Sequence, residues 1–344
     1  MRISIRPADL DADQATIVGL VRDNLSNAST DRRFQWLYRE NPQGQAVAWI
    51  AVDEDSGRAV GTAAAFPRRV FVQGKPEICW NLGDFAVDRS CRSLGPALIL
   101  QRACVAPISD GRVSFCYDLP GKSMVAVYQR MRIAPAGSLV RFTRLLRLDR
   151  PIENRLKVKF LARPLARLGN RVLAAWRDGG SSGKYTVEEH HGAMEAEFDE
   201  LFKEVSTAHA VCGDRSKEYL QWRYVSNPLF HFRTMVARRG GRLCGYAVFT
   251  VLEEDSVVFE LFGHPDPDLV AALMHAVVNF SRERLSAAVN VPLLESSRWI
   301  PALGRVGFAR RETFPFVVHA SPDHPLREYI TKPESWLHSF GDVL

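Results

Sequence analysis

The fold of this chain is decided by one stretch, Asp84-Phe85-Ala86-Val87-Asp88-Arg89-Ser90-Cys91-Arg92-Ser93-Leu94-Gly95-Pro96-Ala97-Leu98-Ile99-Leu100. An apolar run ends at Val87 and predicts a buried strand, and a loop with two arginines follows it. Gly95 permits close backbone approach because it has no Cβ, and Pro96 suits the first turn of a helix. The unpaired amides that open such a helix favour an anion in the turn. The stretch therefore predicts a strand, a phosphate-binding loop and a helix, with an ordinary strand-to-helix turn as the alternative.

Length and composition indicate a globular protein with two domains. The chain has 344 residues, of which 46% are hydrophobic and 24% charged, and about 150 residues is typical of one domain. No apolar run approaches the roughly 18 residues of a membrane span, and the first residues turn polar too early for a secretory signal. The six cysteines form no C-x-x-C pair. We expect buried thiols in a reducing cytoplasm, no disulfide framework and no metal site.

The net charge of +6 comes from one region of the chain. Between residues 141 and 177, eleven Lys and Arg stand against two acidic residues, which leaves the rest of the chain net negative. A general nucleic-acid-binding surface is therefore not expected. Apolar residues at helical spacing run from Leu161 to Trp176 and predict an amphipathic linker helix. Its arginines either lie in solvent or form a docking face for an acidic partner or a membrane surface.

Hydrophobic periodicity predicts the order of elements in the first half. The order is one strand, two helices, three strands, a helix, a strand, a helix and a closing strand that ends near residue 148. This order, together with the pattern Arg92-x-x-Gly95-x-Ala97 after a strand, resembles the GNAT acyl-CoA-dependent acyltransferases. The resemblance implies an α/β fold (α+β) with a mixed sheet, and a pyrophosphate-binding turn before the helix that follows the third of those strands.

Two parts of the sequence repeat each other at nearly one offset. Residues 219–228 repeat the pattern of residues 34–42 with tryptophans 186 residues apart, and Gly245 follows Gly61 by 184 residues. A repeat of this length indicates an internal duplication, so the chain resembles a tandem GNAT protein. We predict a first module at residues 1–150, a basic helical linker at 151–184, a second module at 185–320 and a C-terminal tail at 321–344.

The second module lacks the features of the phosphate-binding turn. Its counterpart of that turn is Gly263-His264-Pro265-Asp266-Pro267-Asp268. Two prolines remove amide donors there, and two aspartates repel phosphate. Leu303 stands where Tyr128 stands in the first module. We therefore expect one acyl-CoA site per chain, in the first module, and a second module that is degenerate at this turn.

The resemblance implies which residues bind acyl-CoA and help it react. The pyrophosphate would lie on six residues of the turn: Arg92, Ser93, Leu94, Gly95, Pro96 and Ala97. The pantetheine arm and the carbonyl would be held by the backbone of the strand before it: Phe85, Ala86 and Val87. The resemblance marks Tyr128 as the acid that protonates the departing thiolate, although Arg132-Ile133 replaces the Gly-Phe of the family pattern. A core tyrosine is the alternative reading of Tyr128.

Asp84 is the leading candidate for the base that takes the proton of the amine. The resemblance supports it, because some members of the family carry an acidic residue on this strand. Its structural alternative is to cap a loop or to pair with Arg89. Asp118, just after the fifth strand, is the second candidate, and a water-mediated route without a single base is the third.

These observations predict an N-acyltransferase, most simply an N-acetyltransferase. It would move an acyl group from acetyl-CoA or another acyl-CoA to the amine of a small molecule or peptide. One alternative is a transferase with a carrier-bound acyl or aminoacyl donor. An acidic acyl carrier protein could dock on residues 141–177, and tandem GNAT-like modules also resemble the aminoacyl transferases of peptidoglycan bridges. The other alternative is a non-catalytic acyl-CoA sensor.

Overall fold

The computed structural model describes residues 2–91, 94–147 and 183–343. Arg92, Ser93, the predicted linker helix and most of the basic segment lie outside the described residues. The strands are β1 (Ile3–Pro7), β2 (Val47–Asp53), β3 (Ala59–Val72), β4 (Lys75–Val87), β5 (Phe115–Asp118), β6 (Gly137–Leu145), β7 (Thr186–His190), β8 (Val211–Gly213), β9 (Arg233–Arg239), β10 (Arg242–Leu252), β11 (Asp255–Gly263), β12 (Ala288–Leu294), β13 (Ala309–Ala320) and β14 (Trp336–Leu337). The helices are α1 (Gln14–Asn24), α2 (Asp31–Phe34), α3 (Leu94–Ser109), α4 (Lys122–Arg130), α5 (Ala196–Ser206), α6 (Lys217–Leu220), α7 (Pro267–Glu283), α8 (Ile300–Arg305) and α9 (Arg327–Ile330).

The order of elements in the first half agrees with the predicted order, and alternation along its strands explains the layers. On β2, Trp49 faces a core formed with α3, whereas Ile50 faces a second core formed with α1. α3 contributes Leu100 to the first core, and α1 contributes Ile17 to the second. Because successive strand residues point to opposite faces, each helix covers one face of a mixed sheet.

The strands form one continuous sheet across both halves. Its order is β1-β2-β3-β4-β5-β13-β6-β12-β11-β10-β9-β7, with β8 on β3 and β14 on β8. The two halves exchange their closing strands: β13 pairs antiparallel with β5, and β6 pairs antiparallel with β12. The predicted boundaries at residues 150 and 185 thus divide the chain along its sequence. In the sheet, each closing strand lies beside strands of the other half.

The two repeated sequence segments adopt the same local structure and contact each other. α2 and α6 each begin at a hydroxyl cap, Thr30 or Ser216, and each continues into a π-helical turn, Gln35–Arg39 or Gln221–Val225. The indoles of Trp36 and Trp222 stack with ring centroids 4.8 Å apart. Each indole N–H donates to the backbone carbonyl of the other tryptophan, at 3.0 and 3.1 Å. The duplication stays a prediction, and this reciprocal pair supports it.

The C-terminal residues form part of the core, although the sequence predicts a tail there. β14 pairs with β8, and the buried carboxylate of Asp342 accepts hydrogen bonds from guanidinium groups of both halves. Arg68 in β3 donates at 2.7 Å, and Arg215 donates at 2.6 Å. Arg215 also forms an ion pair with buried Glu260 in β11, at 3.3 Å. The segment therefore joins the two halves through a buried ionic network.

Candidate active site

β4 and β5 diverge at their carboxyl ends and leave a gap in the sheet. Their parallel ladder pairs Trp80 with Cys116 and Asn81 with Tyr117, and it goes no further. On its other side β4 contains a bulge, since one residue of β3 opposes Asp84 and Phe85 together. A bulge bends a strand and re-aims its side chains. The local geometry of β4 thus directs its last residues away from β5.

A cavity of about 540 Å³ occupies this gap. Of the described residues that line it, the charged ones are two acids, Asp84 and Asp118. Ala97 of the first turn of α3 also lines the cavity, so the N-terminus of that helix lies beside it. The lining residues are Asn24, Leu25, Ala63, Ala64, Leu82, Gly83, Asp84, Phe85, Val87, Ala97, Gln101, Cys104, Asp118, Leu119, Pro120, Gly121, Ser123 and Met124.

Three of the described residues predicted to hold acyl-CoA line this cavity: Phe85 and Val87 of β4 and Ala97 of α3. By contrast, Ala86 packs into the core on the α1 side. A backbone role needs no side chain at the cavity, so the placement of Ala86 leaves that expectation open. In the turn, α3 begins at Leu94, Gly95 is exposed and Pro96 is buried.

Asp84 forms a structural ion pair. Its backbone has φ of +46°, a left-handed conformation that few residues other than glycine adopt. Its carboxylate accepts two hydrogen bonds from Arg33, at 2.6 and 2.7 Å, and one from the hydroxyl of Tyr38, at 2.9 Å. The partner is thus Arg33 in α2 rather than the expected Arg89. Because its carboxylate accepts bonds from Arg33 and Tyr38, Asp84 links β4 to α2 and to the π-helical turn that follows it.

Asp118 ends β5 and presents a carboxyl group to the cavity. Its Oδ2 atom accepts a hydrogen bond of 2.7 Å from the hydroxyl of Tyr128 in α4. The same hydroxyl accepts a bond of 2.9 Å from Nε2 of Gln101 in α3. Burial raises the pKa of Asp118 to about 6, against a smaller lowering by the Tyr128 bond. Burial likewise raises the pKa of Tyr128 well above its usual value.

Gln101 and Arg33 are the site residues that the sequence analysis missed. Gln101 is buried and lies one helical turn after Ala97, on the face of α3 that continues with Cys104. A buried polar side chain on an apolar helix face needs a hydrogen-bond partner, and this is the signal that could have singled it out. Arg33 stands in a polar stretch, and nothing in its spacing distinguishes it from a solvent-exposed charge.

The corresponding region of the second half is filled. The ladder between β11 and β12 also ends early, at Val257 and Asn290. The C-terminal segment lies against both strands beyond that point: Ser339 bridges to Leu293 of β12, and the ring of Phe340 lies 4.9 Å from that of Phe259 in β11.

The N-terminus of α7, which corresponds to that of α3, is capped by the chain itself. The carboxylate of Asp266 accepts from the amide of Asp268 at 2.9 Å and from the hydroxyl of Tyr185 at 2.7 Å. It also forms an ion pair with Lys184. Burial opposes ionisation, but these donors bring the pKa of Asp266 down to about 2. A carboxylate of the chain itself thus caps the N-terminus of α7.

Solved structures resemble this chain along nearly its whole length. A conserved protein of unknown function from Enterococcus faecalis V583, described as a probable N-acyltransferase, aligns with a TM-score of 0.66 at 11% identity over 96% of this chain and 75% of that one. A GCN5-related N-acetyltransferase from Anabaena variabilis aligns with a TM-score of 0.65 at 11% identity, over 92% and 72%. The chain has the GNAT fold.

A third solved structure also has a similar fold. Saccharomyces cerevisiae N-myristoyltransferase with bound myristoyl-CoA aligns with a TM-score of 0.60 at 13% identity, over 94% of this chain and 80% of that one. No protein-family model and no curated protein matches the sequence. Among the described helices of this GNAT fold, none is long and apolar enough to cross a membrane.

Proposed function

We propose that this chain is an acyl-CoA-dependent N-acyltransferase whose active site is the cavity between β4 and β5. The observation that carries the proposal is the divergence of these two strands beside the N-terminus of α3. A helix N-terminus favours the pyrophosphate of CoA, and the cavity beyond it accommodates the pantetheine arm. A solved structure of the same fold holds myristoyl-CoA, which supports this class of donor.

The residues present fit the donor. The first turn of α3 offers the amides of Leu94, Gly95 and Ala97, with Arg92 and Ser93 just before it in the sequence. The last residues of β4, from Phe85 to Val87, flank the cavity on the side from which β5 has diverged. In the proposal, the turn binds the pyrophosphate and the strand end aligns the arm, so that the thioester reaches the level of Asp118.

The acids of the cavity suit an amine acceptor. The acceptor must lose a proton, attack the thioester carbonyl and expel a thiolate. Asp118 is our proposed base in place of Asp84, because the Asp84 carboxylate is already paired with Arg33. The proton for the departing thiolate comes from the hydrogen-bonded pair of Asp118 and Tyr128. Asn24, the last residue of α1, and Leu25 also line the cavity and are available to contact the acceptor.

Binding stoichiometry tests the proposal. Calorimetry and native mass spectrometry with acetyl-CoA, longer acyl-CoAs and a loaded acyl carrier protein should give one acyl-CoA per chain. The carrier-bound alternative predicts instead that only the loaded carrier protein binds. Turnover with a panel of amines then separates a transferase from a sensor.

The variant Gly95→Asp should lower acyl-CoA affinity at least about tenfold, because a carboxylate would face the pyrophosphate. It gives α3 the residue that stands at the second position of α7, Asp268. The matched control, Asp268→Gly, should leave one site per chain because Asp266 still caps α7. Two equal sites in the wild type, or unchanged affinity in a folded Gly95→Asp variant, would contradict the proposal.

A further inference from the structure

Three buried or half-buried side chains from three elements form one hydrogen-bonded chain at the cavity. Gln101 of α3 donates to the hydroxyl oxygen of Tyr128 in α4, at 2.9 Å, and that hydroxyl donates to Asp118 at the end of β5, at 2.7 Å. A tyrosine hydroxyl has one hydrogen to donate. The bond from Gln101 therefore fixes the direction of that hydrogen, which points at Asp118.

Tyr128 lies behind the cavity wall, whereas its two partners form part of the wall. The side chain of Tyr128 is 1% exposed and is absent from the residues that line the cavity, while Gln101 and Asp118 line it. Of the two titratable members of this hydrogen-bonded chain, Asp118 is therefore the one that lines the cavity where an amine and a thioester would meet. This geometry differs from the expectation that Tyr128 protonates the thiolate directly.

We propose that Asp118 carries the proton from the attacking amine to the departing thiolate, and that Tyr128 and Gln101 are positioning residues that hold its carboxylate in place. The inference rests on the proposed N-acyltransferase function. The Asp118 carboxylate takes a proton from the nitrogen as the N–C bond forms. The C–S bond then breaks, its electron pair leaves with sulfur, and the Asp118 carboxylic acid gives that proton to the thiolate. Asp118 returns to the carboxylate form, and no net proton enters or leaves the protein.

The direction of the second proton transfer, to the thiolate, supports this assignment. A thiol has a pKa of about 8.5, which lies above the value of about 6 for Asp118. Proton transfer from the Asp118 carboxylic acid to a thiolate is therefore downhill. Burial raises the pKa of Tyr128 well above 10, so transfer from its hydroxyl to the same thiolate would be uphill.

The surroundings of Asp118 keep its titration separate from other charges. Arg33, the basic partner of a lining side chain, is already paired with Asp84 on β4. On β13, Val317 lies opposite Asp118 in the ladder. The titratable side chains that interact electrostatically with Asp118 are Tyr128 of α4, Cys104 of α3 and Cys116 of β5. Asp84 of β4 lines the same cavity, and His319 of β13 lies opposite Cys116 in the ladder. The two thiols have pKa values raised by burial, so they stay neutral over the range where Asp118 titrates.

The test is the pH dependence of kcat/KM in the full chain. The wild type should lose activity below about pH 6, as Asp118 becomes protonated. Tyr128→Phe removes a hydrogen bond that stabilises the Asp118 carboxylate, so the pKa of Asp118 should rise. The acid limb, which is the fall of kcat/KM at low pH, should therefore move upward by about one pH unit. Its plateau kcat should stay within about tenfold. Gln101→Leu should move the limb in the same direction by less.

Asp118→Asn should lower kcat by about 10²–10⁴-fold, the usual weight of a general acid or base, with acyl-CoA binding retained in calorimetry. The matched control is Tyr185→Phe, since Tyr185 also donates to a carboxylate, at 2.7 Å, in the second half. This control should leave the profile unchanged.

Three results would overturn the inference in distinguishable ways. A Tyr128→Phe plateau lowered by 10²–10⁴-fold, with the acid limb unmoved, would make Tyr128 the direct acid and leave the N-acyltransferase function intact. An Asp118→Asn variant with full kcat would show that Asp118 takes no part in the proton transfers, and it would leave the proposed N-acyltransferase function intact. A wild type that neither binds nor turns over any acyl donor would overturn the proposed function, and this inference with it. Unfolding temperatures of all four variants confirm that folded proteins are compared.

Discussion

Replacing Asp342 by asparagine is expected to destabilise the whole chain strongly. Asp342 is 3% exposed, and its carboxylate accepts from Arg68 and Arg215 as well as from the amide and hydroxyl of Ser339. Asparagine has nearly the same shape but no charge. The variant Asp342→Asn therefore leaves two buried guanidinium groups with Glu260 as their remaining acidic partner in this network.

The expected cost follows from the loss of one partner in a buried ionic network. Removing one member of a buried ion pair costs about 3–5 kcal/mol, because the remaining charge stays buried. A typical domain has a free energy of unfolding of about 5–15 kcal/mol. Asp342→Asn should thus remove a large part of the stability. The ion pair between Asp110 and Arg112 offers a control, since both side chains are more than half exposed. Asp110→Asn should cost less than about 1 kcal/mol.

Urea denaturation at pH 7, followed by tryptophan fluorescence, measures the difference. The effect should also depend on pH with a definite sign. Burial opposes ionisation of Asp342, but Arg215 and Arg68 outweigh it and hold its pKa well below the usual range. This contribution to stability is therefore complete above about pH 4 and is lost as the pH falls below the unfolded-state pKa. A loss below about 1 kcal/mol at pH 7, or an equal loss for Asp110→Asn, would refute the reasoning.

Three further predictions concern the links between elements. Asp84→Asn should lower the free energy of unfolding by about 2–4 kcal/mol, because Arg33 loses its acidic partner. Its kcat/KM should still fall below about pH 6, and the absence of that fall would restore Asp84 as the base. Trp222→Phe removes a buried N–H donor to the carbonyl of Trp36 and should lower the free energy of unfolding by about 1–3 kcal/mol in the same urea assay. An unchanged midpoint would show that this hydrogen bond does not contribute to stability. A chain that stops before Trp336 should fail to give a cooperative unfolding transition by circular dichroism; a cooperative, soluble product would show that the C-terminal segment is dispensable.

Much of the fold can be predicted from local sequence patterns. The strand ending at Val87, the helix that begins near Gly95 and the repeated tryptophans are each encoded within a few residues, so periodicity and turn chemistry detect them. The exchange of β6 and β13 is not local, because neighbours in a sheet are set by packing rather than by order along the chain. Sequence order therefore predicts the elements, whereas it does not predict that each closing strand pairs with the other half.

The candidate site likewise has parts that the sequence predicts and parts that depend on packing between elements. The turn before α3 and the acid at the end of β5 follow from motif and position. The pairing of Asp84 with Arg33 depends on how α2 lies against β4, and the bond from Gln101 to Tyr128 depends on how α3 packs beside α4. Contacts between elements of this kind leave no fixed spacing in the sequence. The choice between Asp84 and Asp118 as base thus needed the three-dimensional arrangement.

The exchange of closing strands also has a consequence for how the protein is made. The edge of β5 is covered by β13, which lies about 190 residues later in the chain. At synthesis rates of about 5–20 residues per second, that edge waits on the order of 10–40 seconds for its partner. An unpaired strand edge is a template for pairing with other chains. Nascent chains on one messenger should therefore be most prone to entangle in this interval, and chaperone dependence should fall once β13 has left the ribosome.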